Sequence, residues 1–264
     1  MSTPYDFSDT LKRTPQSHDR PSKVATALTI GHCCMYNPDW LRYCKRVVRA
    51  ALGTDHLLRP ELRLATSRIG SAYGGWAVAV DPLHKTNPTV LSFGLGDDIS
   101  FDEEIIRRYG GCVYGFDPTP ESLNWIAARG TSPNMKVLPI GIADFDGRQR
   151  FSLPPNENRG NFSAKATDAN AVTCDVMRYR SILAMLKLQH VDILKLDVEG
   201  SEYDVIPDIV TSSVLPVQLL IEFHHRLHDI RVAETRRAVN MIKEAGFSLF
   251  AVSPSGQELS FIKL

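Results

Sequence analysis

Five cysteines are present, yet no two form a C-x-x-C pair, and an odd number cannot close into a complete set of disulfides. A reducing compartment is therefore expected, with Cys33, Cys34, Cys44, Cys112 and Cys174 as ordinary thiols; adjacent cysteines beside His32 lack the ligand spacing of a structural zinc. Charge of one sign is also missing. Thirty basic and 30 acidic side chains cancel, which removes the electrostatic footprint of a nucleic-acid binder and points to a small or neutral partner. No apolar run is long enough to span a bilayer, and the polar, proline-bearing start of the chain has no signal-peptide core. A soluble cytoplasmic protein is expected, without membrane or nucleic-acid partners. A homodimer is the ordinary state for a small-molecule enzyme of this size. No internal repeat is present.

What is there divides into three parts: a flexible tail over 1–24, an N-terminal extension over 25–87 and a larger domain over 88–264. In the extension, Asn37 as N-cap, Pro38 at the first helical position and Gly53 past the end frame one amphipathic helix, with Leu41, Cys44, Val47, Val48 and Ala51 as its apolar stripe. ELRLATSRIG and WAVAV then read as two strand-like runs joined by a glycine-rich turn. From Pro88 onward short apolar runs alternate with helical segments and a hairpin turned at SPSG comes last, the pattern of an α/β, doubly wound sheet. Ligands of such sheets sit beyond the carboxyl ends of the strands, so the chemistry is sought there.

The first of these strands ends in VLSFGLGDDISF, where Gly94 and Gly96 let the backbone approach a ligand and a helix opens at Ser100, with Glu103 completing a capping box. Two absences narrow the ligand. Ile99 stands where a dinucleotide fingerprint needs its third glycine, and no Lys-Ser or Lys-Thr follows to make a nucleotide-triphosphate loop. Asp97 and Asp98 would repel phosphate. A nucleoside carrying a positive or zwitterionic part fits instead, and S-adenosylmethionine has both. Asp117, 23 residues beyond Gly94, falls at the offset where an acidic side chain takes ribose hydroxyls, and Asp144 in GIADFDG is placed to meet the adenine amino group.

VDILKLDVEG breaks the apolar rule for a central parallel strand with Lys195, Asp197 and Glu199, which alternation puts on one side. A buried lysine needs a carboxylate, and Asp197 is the nearest. The next strand, LLIEFHH, ends in Glu222 and His224, again two apart, while His225 faces the other way as a core or capping histidine. One pocket thus receives Asp197, Glu199, Glu222 and His224, a set suited to removing a proton from a hydroxyl. The same carboxylates and imidazole are compatible with a hard divalent ion, although no diagnostic spacing predicts a metal.

VLSFGLGDDISFDEEI, VYGFDPTPESLNWI, GIADFDG, VDILKLDVEGSEYDVI, LLIEFHH and LFAVSPSG, in this order, resemble the FkbM-type S-adenosylmethionine-dependent methyltransferases. The resemblance implies a class I methyltransferase (Rossmann-like) fold, a doubly wound seven-stranded sheet whose last strand runs antiparallel. It implies that Gly94 and Gly96 line the methionine part of the cofactor, with Phe93, Asp97 and Asp197 as further cofactor contacts. Asp117 and Pro118 would line the ribose, and Ile142, Ala143 and Asp144 the adenine. RIGSAYGGWAVAVD is similar to the N-terminal part of one bacterial branch, in which Tyr73, Gly75 and Trp76 border the cofactor or cover the pocket. One departure concerns the start of the glycine motif, where Ser92 replaces an acidic residue, leaving Asp97 or Asp98 to hold the cofactor's amino group. The expected reaction is methyl transfer to a hydroxyl oxygen of a small molecule, with Lys195, Asp197, Glu199, Glu222 and His224 as catalytic residues. An NAD-binding oxidoreductase on a similar sheet and a catalytically silent cofactor-binding module are the alternatives.

Overall fold

The computed structural model describes residues 38–85, 87–152, 171–227 and 230–264. The expected tail, Asn37, Cys33, Cys34 and the polar tract around 156–170 lie outside the described residues. None of the described helices is long and apolar enough to cross a membrane.

Seven strands form the central sheet: β3 (Thr89–Phe93), β4 (Cys112–Phe116), β5 (Met135–Leu138), β9 (Ile193–Leu196), β10 (Gln218–Glu222), β11 (Ser248–Val252) and β12 (Glu258–Ile262). Their spatial order is β11-β12-β10-β9-β3-β4-β5. Five of them, from β5 to β10, pair in parallel, and β12 inserts antiparallel between β10 and β11, as the expected fold requires. The strand order reverses between β3 and β9, which leaves a crevice at their carboxyl ends.

Helices cover both faces, and alternation along the strands feeds both cores. Leu91, Phe93, Leu194 and Leu196 pack toward helices α4 (Tyr179–Leu186), α5 (Glu202–Val210) and α6 (Val232–Glu244). Val90 and Ile193 pack toward α2 (Ser100–Tyr109) and α3 (Pro120–Arg129). Pro207 lies inside α5, a nine-residue helix that continues past it to Val210.

The hairpin of β1 (Thr66–Ile69) and β2 (Trp76–Ala79) shares the second core through Ile69, Trp76 and Val78. Gln218 fastens it: its side-chain amide takes both the amide hydrogen and the carbonyl of Ala79, at 2.8 and 2.9 Å.

Helix α1 (Pro38–Ala51) forms where the sequence places it, but with its apolar stripe outward. Leu41 is 52% and Val48 59% exposed, while Arg46 is buried with its guanidinium on the carbonyls of His56 and Leu58. The capping box also fails. Ser100 accepts the Ser71 amide and Glu103 accepts the Ser132 amide, so the start of α2 is capped by Asp98, which accepts the Ser100 amide at 2.8 Å.

One strand escaped the sequence reading. β8 (Val172–Met177) pairs with β6 (Gly141–Ile142) and β7 (Gly147–Phe151) in a small second sheet. Its alternation was there to find, since Cys174 and Val176 turn inward while Thr173 and Asp175 face water.

Candidate active site

Two strand ends and a glycine turn meet in the crevice. The turn leaves β3 at Phe93, and both its glycines have left-handed backbone, Gly94 at φ +76° and Gly96 at φ +55°. They do so for different reasons. A Cβ on Gly94 would overlap the carbonyl oxygen of Asp197, so that glycine admits the neighbouring strand's exit instead of a ligand. A Cβ on Gly96 would meet no atom within 4 Å, which leaves that position facing open space, as a ligand cradle requires.

Asp117, buried at the end of β4, closes this turn. One carboxylate oxygen accepts the amides of Leu95 and Gly96 at 3.1 and 3.0 Å; the other accepts the amide and hydroxyl of Thr119. A ribose hydroxyl would have to displace one of these four donors. Asp98 has a task of its own as well: it takes the Ser71 hydroxyl and the Ser100 amide, tying the β1–β2 turn to α2. Burial works against its charge, yet hydrogen bonds from Ser100, Ser71 and the Gly74 amide hold its pKa below the usual carboxylate value. Asp97 is exposed at the same rim.

A cavity of about 920 Å³ opens from this turn, within the range of small-molecule sites. Phe93, Gly94, Gly96, Asp97, Asp117, Pro118 and Ile142 line one end, and Tyr73, Gly75 and Trp76 of the hairpin turn form a wall. Two expected cofactor contacts fall outside the lining. Ala143 is buried in the small second sheet, and Asp144 is exposed on a loop that Arg178 and Asp146 fasten to the start of α4. β5 stops before Pro139, and of the following segment only Gly141 and Ile142 reach the cavity.

The other end of the cavity holds Lys195, Asp197, Glu199, Glu222 and His224. The pleat alone does not gather them. β9 ends at Leu196, and Glu199 returns its carboxylate to the pocket because its backbone is left-handed, φ +48°, a conformation that costs a non-glycine residue about 1 kcal/mol or more. Lys195 does not pair with Asp197. It sits on the α2 side of the sheet, donates to the Gly94 carbonyl at 2.9 Å and stacks 5.8 Å from the centre of the Trp76 ring. Asp102 of α2, fully buried, is a carboxylate that feels its charge; burial pushes the Asp102 pKa up to about 6 against the pull of Lys195 and the Ser92 hydroxyl.

His224 is the hub. Its Nδ1 meets Glu202 at 3.3 Å, and its Nε2 faces Glu199 at 3.4 Å, Asp197 at 3.7 Å and Glu222 at 4.0 Å. Burial opposes charge on this imidazole, but the hydrogen bond and field of Glu202, with Glu199 and Asp197 behind it, raise its pKa to about 10. Burial and the surrounding carboxylates push Glu199 to about 6 and Glu222 to about 8, so the cluster shares protons instead of ionising fully. Glu202, wholly buried in the first turn of α5, was missed by sequence reasoning. Its carboxylate also accepts the amides of Gly200 and His224. An acidic residue at a helix start looks like an ordinary cap, which hid it.

His225 turns away, as expected, onto Thr235 and Asp55.

A family profile described as the Methyltransferase FkbM domain matches residues 64–249. The chain belongs to the FkbM methyltransferase family. This FkbM protein is thus an S-adenosylmethionine-dependent methyltransferase with a class I fold, and the strand order bears the fold out. Among solved structures it is similar to the fibrillarin pre-rRNA processing protein of Methanococcus jannaschii, at 12% identity and TM-score 0.41 over 69% of this chain and 67% of that one. Fibrillarin from Aeropyrum pernix, in complex with natively bound S-adenosylmethionine, shows 15% identity and TM-score 0.39 over 77% and 84%. A putative S-adenosylmethionine-dependent methyltransferase from Listeria monocytogenes shows 13% and 0.38 over 70% and 97%. No curated protein sequence matches this FkbM protein.

Proposed function

We propose that this methyltransferase acts on a hydroxyl oxygen of a small-molecule acceptor. The carrying observation is the ring of Asp197, Glu199 and Glu222 around His224 Nε2, set in the same cavity as the glycine turn. A hydroxyl is the acceptor that needs a proton acceptor beside it, since its lone pair is a poor nucleophile while the proton stays. Carboxylates lining the cavity disfavour a polyanion, which supports a small acceptor over a nucleic acid.

The residues present fit the cofactor. Gly96 leaves backbone room, Phe93, Pro118 and Ile142 offer apolar contact for an adenosyl group, and the carboxylates lining the same cavity suit a ligand with a cationic sulfur and an amino group. When bound, S-adenosylmethionine supplies a methyl group on positively charged sulfur. Glu202 fixes the ring of His224, and the packed strand ends fix Asp197 and Glu222, so the acceptor is held and its proton received by groups that need not move. Lys195, anchored on Gly94, keeps the glycine turn and the β9 end in register.

The test is a labelled-methyl assay across sugar, phenol and aliphatic alcohol acceptors, with the product's methylated atom located by NMR. An O-methyl product is expected. Methyl on nitrogen, carbon or a macromolecule as the sole product refutes the oxygen assignment. His224→Ala and Glu199→Gln should lower kcat by about 100-fold or more with the affinity for S-adenosylhomocysteine kept.

A further inference from the structure

Four carboxylates, Asp197, Glu199, Glu202 and Glu222, stand within 4.0 Å of the His224 ring nitrogens, and the nearby lysine is committed elsewhere. Lys195 Nζ lies on the Gly94 carbonyl and the Trp76 face, and among the described residues it makes no ion pair. His224 is 3% exposed; its ring Nδ1 is held by Glu202, while its Nε2 is aimed into the carboxylates of Glu199 at 3.4 Å and Asp197 at 3.7 Å. A carboxylate clamping one ring nitrogen while the other points at acidic ligands is the arrangement that orients a metal-binding histidine.

We infer that Asp197, Glu199 and His224 form a binding site for a hard divalent cation of the Mg²⁺ and Mn²⁺ class. One ligand atom from each lies within 4.8 Å of the others. An ion with bonds of about 2.1 Å separates adjacent ligand atoms by about 3 Å in an octahedron, so gaps of 3.4 and 3.7 Å close by rotamer adjustment alone. Two carboxylates select a hard ion, the imidazole favours Mn²⁺ over Ca²⁺, and no thiolate is present to favour zinc. Three protein ligands leave the remaining positions facing the cavity, where an acceptor's oxygen would coordinate beside Glu222. This rests on the methyltransferase reading of the same cavity and adds the ion to it.

The experiment uses the full-length protein stripped with chelator, saturated with S-adenosylhomocysteine and titrated with Mn²⁺ while the electron paramagnetic resonance signal of the unbound ion is followed. One Mn²⁺ per chain is expected, displaced by Mg²⁺. Glu199→Gln should weaken uptake about 10-fold or more, and Glu202→Gln, which touches no ion, should weaken it about 10- to 100-fold through His224. Retained S-adenosylhomocysteine binding, measured by calorimetry, shows that each variant is folded. No uptake by the wild-type protein at about 1 mM Mn²⁺, or equal uptake by Glu199→Gln and Asp197→Asn, overturns the site. The two readings fail separately. Stripped protein that methylates at full rate in chelator refutes the ion alone, whereas protein that cannot bind S-adenosylhomocysteine refutes the cavity assignment beneath it.

Discussion

Gly94 and Gly96 belong to one short motif, and the structure assigns them opposite sensitivities. At Gly94→Ala the new methyl meets the Asp197 backbone carbonyl, which is held by its strand and cannot swing aside as a side chain would. The left-handed backbone costs an alanine about 1–2 kcal/mol, and forcing a methyl into packed structure about 1–3 kcal/mol more, for a total of about 2–5 kcal/mol. At Gly96→Ala only the backbone cost of about 1–2 kcal/mol applies, since no atom lies within 4 Å. Function inverts the order, because the Gly96 methyl would enter the space proposed for the cofactor. Urea unfolding should show Gly94→Ala as the less stable variant by a clear margin. Calorimetry with S-adenosylhomocysteine should show Gly96→Ala losing about 10-fold or more in affinity, equal to about 1.4 kcal/mol. Equal stabilities would refute the strand-crossing argument, and undiminished binding by Gly96→Ala would refute the location of the cofactor.

Three further predictions concern the support of the site. Burial, with His225 and Arg46 nearby, depresses the His56 pKa from 6.5 to about 4. Below pH 6.5 the unfolded chain takes up a proton that the folded chain refuses until about pH 4, so stability present at neutral pH falls through that window, by roughly 3 kcal/mol from this group. His56→Phe, whose ring gives up no hydrogen bonds, should make the acid limb of a stability-against-pH curve shallower; an unchanged limb tells against it. Gln218→Leu strands the buried amide and carbonyl of Ala79 and should cost about 2–4 kcal/mol, with faster hydrogen exchange at the β1–β2 hairpin as the site-specific readout. Asp55→Ala leaves Arg226 and His225 without their shared buried carboxylate and should cost about 3–5 kcal/mol in urea unfolding; a loss under about 1 kcal/mol would show that the pair is not structural.

The central sheet is legible in one dimension, because parallel strands buried on both faces must be apolar and their crossovers helical; β3, β4, β9 and β10 stand out for that reason. The same patterning also exposes Lys195, Asp197, Glu199, Glu222 and His224, since charge in such strands has to be explained. The partners of these charges emerge only on packing. Asp102 and Glu202 come to Lys195 and His224 from helix starts, where an acidic residue is ordinary and carries no signal of its own. Arg46 displaced the apolar stripe of α1 because carbonyls 10 and 12 residues further on give its guanidinium hydrogen bonds that no periodicity records. Hydrophobic spacing is a local property and survives in one dimension. The pairing of a charge depends on which elements cross, and that is fixed only when the chain is packed.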